Sequence, residues 1–219
     1  YYKKTLEQYG KQDLPIFITE WNYEPDSTVT SPYHTSNAAI PYVGDKFVDF
    51  LKMGLAGANY HVLEPLNLKK PNKGEGYMGF YRWENGEATL LPQSKTWRLM
   101  SKKLGLGKGP SLIYDVNTGD SGLNAIGFKN SANQFGIVIV NRSSEPQMTN
   151  VILRGIGSDQ FAKALFYTAS ADNDAKTPTY EGEVKVNNSP ISIYVPKESV
   201  VGITLTNDKN WFDFMKLPY

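Results

Sequence analysis

A chain of 219 residues is long enough for one large domain or two small ones, and 40% hydrophobic residues supply an ample core. Its 23 Lys and Arg nearly balance 22 Asp and Glu, which argues against nucleic acid or an anionic membrane as partner. The absence of cysteine excludes disulfides, thiol nucleophiles and thiolate metal sites, and no apolar run approaches the ~20 residues of a membrane span.

Residues 1–9 carry Tyr2, Leu6 and Tyr9 at helical spacing, with Gly10 as the stop. The chain opens on what reads as mid-helix sequence, which leads us to expect a piece of something longer. Leu14-Pro15-Ile16-Phe17-Ile18-Thr19 then reads as a strand buried on both faces, and it runs into Glu20, Trp21 and Asn22. A carboxylate at the C-terminal end of such a strand sits where α/β folds place their chemistry. Glu20 is therefore the first candidate catalytic group, set against a surface Glu that merely pairs with a cation.

After a polar loop over 23–36, apolar residues recur with helical period from Asn37 to Leu55, with Pro41 in the first turns and Gly54 and Gly57 at the end. Residues 58–64 read as a second buried strand ending in Glu64. The connection over 65–93 is longer than most, and such loops are usually functional or disordered. A last helix is expected from Ser94, as its cap, to Gly105, with Trp97, Met100 and Leu104 on one face. This alternation is the cadence of a parallel α/β fold. Two strands alone would leave long unpaired edges, so completion by further sequence or another chain is expected.

From about residue 107 the pattern turns to short strands: 112–116, 123–128, 135–140, 150–153, 162–167, 183–186, 191–195 and 200–206. Ile191, Ile193 and Val195 alternate with Ser192 and Tyr194, and Val201, Ile203 and Leu205 with Gly202 and Thr204. That period of two predicts one buried and one solvated face, and an antiparallel β-sandwich is the economical reading. The apolar tail Trp211-Phe212-Asp213-Phe214-Met215 is expected to pack on something.

Ile18-Thr19-Glu20-Trp21-Asn22, His34-Thr35-Ser36-Asn37-Ala38-Ala39 and Pro92-Gln93-Ser94-Lys95-Thr96-Trp97, followed by Gly136–Arg142 and Pro196–Val201, together resemble the C-terminal part of a clan A glycoside hydrolase. The match is most like family 39, the β-xylosidase and α-L-iduronidase group. The resemblance implies strands 7 and 8 of a (β/α)8 TIM barrel with their helices over 1–106. It implies a β-sandwich accessory domain over 107–219, and Glu20 as nucleophile of a retaining hydrolase. The family's acid/base Glu follows an Asn after an apolar strand. No such Asn-Glu pair occurs here, so that residue would lie in an N-terminal remainder of the barrel, in the same or another chain.

A retaining glycosidase sets two carboxyl groups roughly 5–5.5 Å apart. Around Glu20, the residues Trp21 and Asn22 either orient the carboxylate, contact sugar or simply pack behind the site. Glu64 binds sugar hydroxyls, serves as a second carboxylate or pairs with a nearby cation. Tyr81, Arg82 and Trp83, in the long connection, either wall the substrate or fold back on their own core. His34, at the start of the following helix, can reach the site. His61 is read as a core residue, and no Gly-x-Ser-x-Gly elbow accompanies the histidines. Asp115, Asn117 and Asp120 read as a turn and not a calcium loop. No cofactor or metal is implied, and carbohydrate is the expected substrate. The rival reading is a non-catalytic carbohydrate-binding or structural β-sandwich module with a structural Glu20. Localisation is left open, secreted or periplasmic being compatible with a polysaccharide-active enzyme.

Overall fold

The computed structural model describes residues 2–22, 36–60, 79–84, 87–107, 109–119, 122–152, 163–175, 180–183 and 190–206. Helix α1 (Tyr2–Gln8) ends at Gly10, whose φ of 64° is the left-handed stop that glycine adopts without strain. Strand β1 (Phe17–Trp21) begins later than the apolar run suggests, because Pro15 has no N–H to give to a ladder. Helix α2 (Ala39–Lys52) carries Pro41 in its first turn, where the missing donor costs nothing, and Gly54 (φ 66°) follows its end. Gly57 does not end the helix but opens β2 (Gly57–Tyr60), which runs parallel to β1. β1, α2 and β2 thus form a βαβ unit.

β1 is not buried on both faces as its composition suggests: Phe17 is 62% exposed, and Thr19 and Glu20 are exposed too. Among the described residues, this parallel sheet has only the two strands. The connection before the last helix contains an antiparallel pair, β3 (Tyr81–Glu84) and β4 (Glu87–Leu90); the sequence between them is Asn-Gly, a dipeptide favoured in two-residue hairpins. Helix α3 (Gln93–Trp97) follows, and it continues as a π-helical segment over Arg98–Lys103. Ser94 is not the cap. It lies inside the helix, and Pro92 occupies the cap position without a side-chain hydrogen bond.

Eight strands follow: β5 (Leu112–Asp115), β6 (Leu123–Lys129), β7 (Phe135–Asn141), β8 (Gln147–Val151), β9 (Lys163–Ala169), β10 (Tyr180–Glu183), β11 (Ile191–Val195) and β12 (Ser199–Thr206). Six of them pair antiparallel in the order β10-β9-β12-β7-β6-β5, and β8 pairs with β11 in a separate two-stranded sheet. One face of the large sheet packs on the small one: Ala125, Ile137, Ile139, Phe166, Val201 and Ile203 meet Ile193 and Val195. The other face packs on helices: Ile126, Phe128, Val138, Val140, Leu165 and Tyr167 share a core with Ile40, Val48, Leu99, Met100 and Leu104.

The large sheet therefore has no solvated face at its centre. The predicted alternation holds for β11, where Ser192 and Tyr194 are exposed, but not for β12, where Val200 through Leu205 are all buried. The reason is visible in Gly202. A Cβ there would lie 2.9 Å from methyls of Leu99 and Leu104, so the residue that breaks the apolar pattern is one against which the helical layer presses directly. Gly44 on α2 does the same from the other side, where a Cβ would sit 2.5 Å from Val200 Cγ2.

A polar clamp fixes the register of α2 on the sheet. Asp45, 8% exposed, accepts from Arg142 Nη1 at 3.0 Å and from Asn124 Nδ2 at 2.8 Å. Asn124 also donates to Asp49 and accepts from Lys52. Thr96 Oγ1 donates to the Ile40 carbonyl at 2.7 Å, tying α3 to α2. The change of secondary structure near residue 106 is thus not a gap in packing, because one core runs across it.

Candidate functional site

Glu20 is exposed at the C-terminal end of β1. Ile18 pairs with Ala58 and Trp21 with Tyr60, so β1 accommodates one more residue than β2 in the interval that holds Glu20. Irregularities of this kind re-aim side chains and recur beside active sites.

The residues flanking Glu20 are anchored in the opposite sense. The Trp21 ring packs edge-on against Phe50 of α2, at 5.1 Å between centroids, and against Tyr60 of β2 at 5.0 Å. Tyr60 in turn stacks on Phe80 at 4.7 Å, and Trp97 of α3 meets Phe80, Tyr60 and Phe47 edge-on. Edge-on and offset arrangements are the favoured ones for aromatic quadrupoles. Six aromatic side chains from β1, α2, β2, the residue before β3, and α3 thus lock together beneath the strand ends. Trp21 is a member of that cluster, so its ring is packed among other aromatic rings beneath the strand end.

The Tyr60 hydroxyl sits among Asn22 and Gln93. Burial raises its ionisation well above the usual phenol range, and the side-chain hydrogen bonds to Asn22 and Gln93 offset this in part. Gln93, 1% exposed, also donates through Nε2 to the Gly79 carbonyl. Asn22, Tyr60 and Gln93 form a polar knot that joins the end of β1 to the end of β2 and the start of α3. Tyr60 was not singled out in the sequence, and Gln93 stood there only inside the Pro92–Trp97 stretch, with no role of its own. Only the parallel pairing of β1 with β2 brings them to Asn22.

Of the other predicted residues, Tyr81 is half-buried in β3, paired with Leu90. Arg82 and Trp83 follow it in β3, opposite Thr89 and Ala88, so these three stand on a hairpin and not in an irregular loop. His34, His61, Glu64 and the tail over 211–215 lie outside the described residues. Asn117 Oδ1 accepts from Gly119 N at 2.9 Å, which makes its segment the turn that was read from the sequence, while Asp120 is outside the described residues. Among the described residues, no three His, Cys, Asp or Glu side chains gather as a metal site would require.

No family model and no curated protein matches the chain in sequence. Solved structures do match in fold. A family 30 endoxylanase from Clostridium papyrosolvens C71 superposes with a TM-score of 0.64 at 13% identity, over 93% of this chain and 44% of that one. The family 30 subfamily 8 xylanase Xyn30A from Clostridium acetobutylicum gives a TM-score of 0.67 at 14% identity, with the same coverage. A family 44 xyloglucanase from Paenibacillus polymyxa gives 0.60 at 12% identity, over 94% of this chain and 35% of that one. The chain therefore spans less than half the length of these neighbours. They are glycoside hydrolases of families 30 and 44, so the likeness does not single out family 39. At these identities it is the fold of a partial glycoside hydrolase that is shared.

Proposed function

We propose that this chain is the C-terminal portion of a retaining glycoside hydrolase acting on O-glycosidic bonds of an oligo- or polysaccharide, with Glu20 as its nucleophile. The observation that carries the reading is Glu20 itself: an exposed carboxylate at the C-terminal end of a parallel strand, in a fold whose neighbours include xylanases and a xyloglucanase. The βαβ unit and α3 would be the last two strands and helices of a (β/α)8 barrel over 1–106. Residues 107–219 would be its accessory β domain. In such a barrel the chemistry gathers at the C-terminal ends of the strands, which is where Glu20 stands.

In this reading the Glu20 carboxylate attacks the anomeric carbon. A second carboxyl group, from an N-terminal portion of the barrel, protonates the leaving oxygen and then activates water. Trp21 and Asn22 hold the strand end that carries the carboxylate, which supplies part of the positional control that such attack requires. Arg82 and Trp83, and outside the described residues His34 and Glu64, would face substrate.

Mechanism-based labelling tests the assignment. A 2-fluoroglycosyl fluoride, in xylosyl and glucosyl forms, incubated with a folded chain that carries the whole barrel should leave one sugar on the peptide containing Glu20. Residues 1–219 alone should show no turnover, because the general acid is missing. Turnover by the purified chain, or a label confined to another carboxylate, overturns the proposal. A complete enzyme that turns over without labelling Glu20 returns it to a structural role.

A further inference from the structure

The loops at one end of the β strands enclose a groove of about 380 Å3. Tyr194, Glu145, Asp172, Lys197 and Glu198 line it, with Ser170 at its base. A second hollow of about 430 Å3 shares Ala171 and Asp172 with the first and extends to Asn173, Asp174 and Lys95. We propose that this pair of hollows binds a neutral polysaccharide chain, with the Tyr194 ring as its stacking platform. The class of ligand rests on the glycoside hydrolase reading above. The site uses none of the residues assigned to that reaction.

Three observations point to a sugar. First, Tyr194 is 58% exposed, at a position of β11 whose neighbours Ile193 and Val195 are buried, so the ring is held outward by a fixed strand. An outward aromatic face accepts the apolar C–H face of a pyranose while its hydroxyl stays in water. Second, among the described residues the side chains of Glu145, Asp172, Lys197 and Glu198 engage in no ion pair or hydrogen bond, which leaves carboxylate acceptors and an ammonium donor for sugar hydroxyls. Across both hollows four carboxylates, Glu145, Asp172, Asp174 and Glu198, stand against two ammonium groups, Lys95 and Lys197, a net negative lining that repels a uronate or sulfate and so selects a neutral chain.

Third, the walls are fixed in advance. Asn141, fully buried at the end of β7, donates through Nδ2 to the Glu145 carbonyl at 2.9 Å and to the Pro196 carbonyl at 3.0 Å, so it ties both banks together. Ser199 Oγ donates to the same Pro196 carbonyl, and Glu198 N to the Ser143 carbonyl at 3.0 Å. Across the groove, Lys95 Nζ donates to the Ser170 and Ala171 carbonyls at 2.7 Å each. Rigid walls reduce the ordering cost of binding, which matters for weak stacking contacts. Two hollows that share a wall suit a ligand of repeating units.

Native-gel affinity electrophoresis of the 219-residue chain tests this, with xylan, xyloglucan or polygalacturonate cast in the gel. The neutral glycans should retard the chain and polygalacturonate should not. Tyr194→Ala should weaken retardation about fivefold to tenfold, the loss expected for one aromatic contact. Asp172→Ala, in an exposed loop, should weaken it as well, and both variants should melt with the parent. Glu20→Gln should be retarded like the parent. No retardation of the parent chain, equal retardation of Tyr194→Ala, or preference for polygalacturonate each overturns the inference. Loss of retardation in Glu20→Gln with retention in Tyr194→Ala overturns it too, and leaves the reading of Glu20 standing.

Discussion

At the scale of single residues, the site is held by the knot of Asn22, Tyr60 and Gln93. Tyr60 is mostly buried with its hydroxyl engaged, so the neutral phenol is what the fold stabilises. The sign follows from linkage. The unfolded chain loses this proton near pH 10, while the folded chain keeps it to higher pH, so stability falls as pH rises past 10. Tyr60→Phe should remove that alkaline contribution. At neutral pH it should destabilise by about 1–2 kcal/mol, because Asn22 and Gln93 lose a partner. Urea unfolding of parent and variant at pH 7 and pH 10.5 would show it as a gap that narrows at the higher pH; a gap that widens would refute the account. Asn141 is the second buried polar group that decides something at this scale. Asn141-Arg142-Ser143 is a glycosylation sequon, yet its amide is fully buried and spent on the carbonyls of Glu145, Val195 and Pro196, so the folded chain offers it to no transferase.

At the scale of elements, the sequence was most legible where periodicity alone decides. α1, α2 and most of the β strands appear within a few residues of their expected places, since apolar spacing and glycine stops are local signals. Strand burial was not legible. β12 reads as half-solvated because Gly202 and Thr204 interrupt its apolar residues, but the layer that covers them comes from residues 93–104. The site was legible in the same uneven way. Glu20 is announced by the run before it, whereas Tyr60 and Gln93 become partners of Asn22 only through tertiary pairing. The Asn85-Gly86 dipeptide was a local signal for the β3–β4 hairpin, hidden inside a stretch treated as one long connection. Gly202 gives the element-scale prediction. Gly202→Val drives methyls into Leu99 and Leu104 and should cost about 1–3 kcal/mol by overpacking. A melting temperature equal to that of the parent would show that the helical layer yields there.

At the scale of the whole molecule, the six-stranded sheet is the middle of three layers, with helices on one side and β8–β11 on the other. That arrangement bears on how the chain can be divided. A fragment of residues 107–219 keeps every strand of the large sheet but uncovers Ile126, Phe128, Val138, Val140, Leu165 and Tyr167. Contiguous apolar faces of that kind lead to association. The fragment should bind a hydrophobic dye strongly and sediment as oligomers, where residues 1–219 do not. A monomeric fragment that melts within a few degrees of the whole chain would mean that the β domain stands by itself.

The contact of Gly44 with Val200 also sets a timetable for synthesis. α2 leaves the ribosome long before β12, the strand against which it finally rests. At ordinary elongation rates the delay is about 8–30 s. Through the first part of that interval the apolar side of α2 is uncovered, until β6 and β7 emerge and bring Ile126, Val138 and Val140 to it. The contact closes only once β12 has emerged, so the core around α2 is completed well after the helix itself is made.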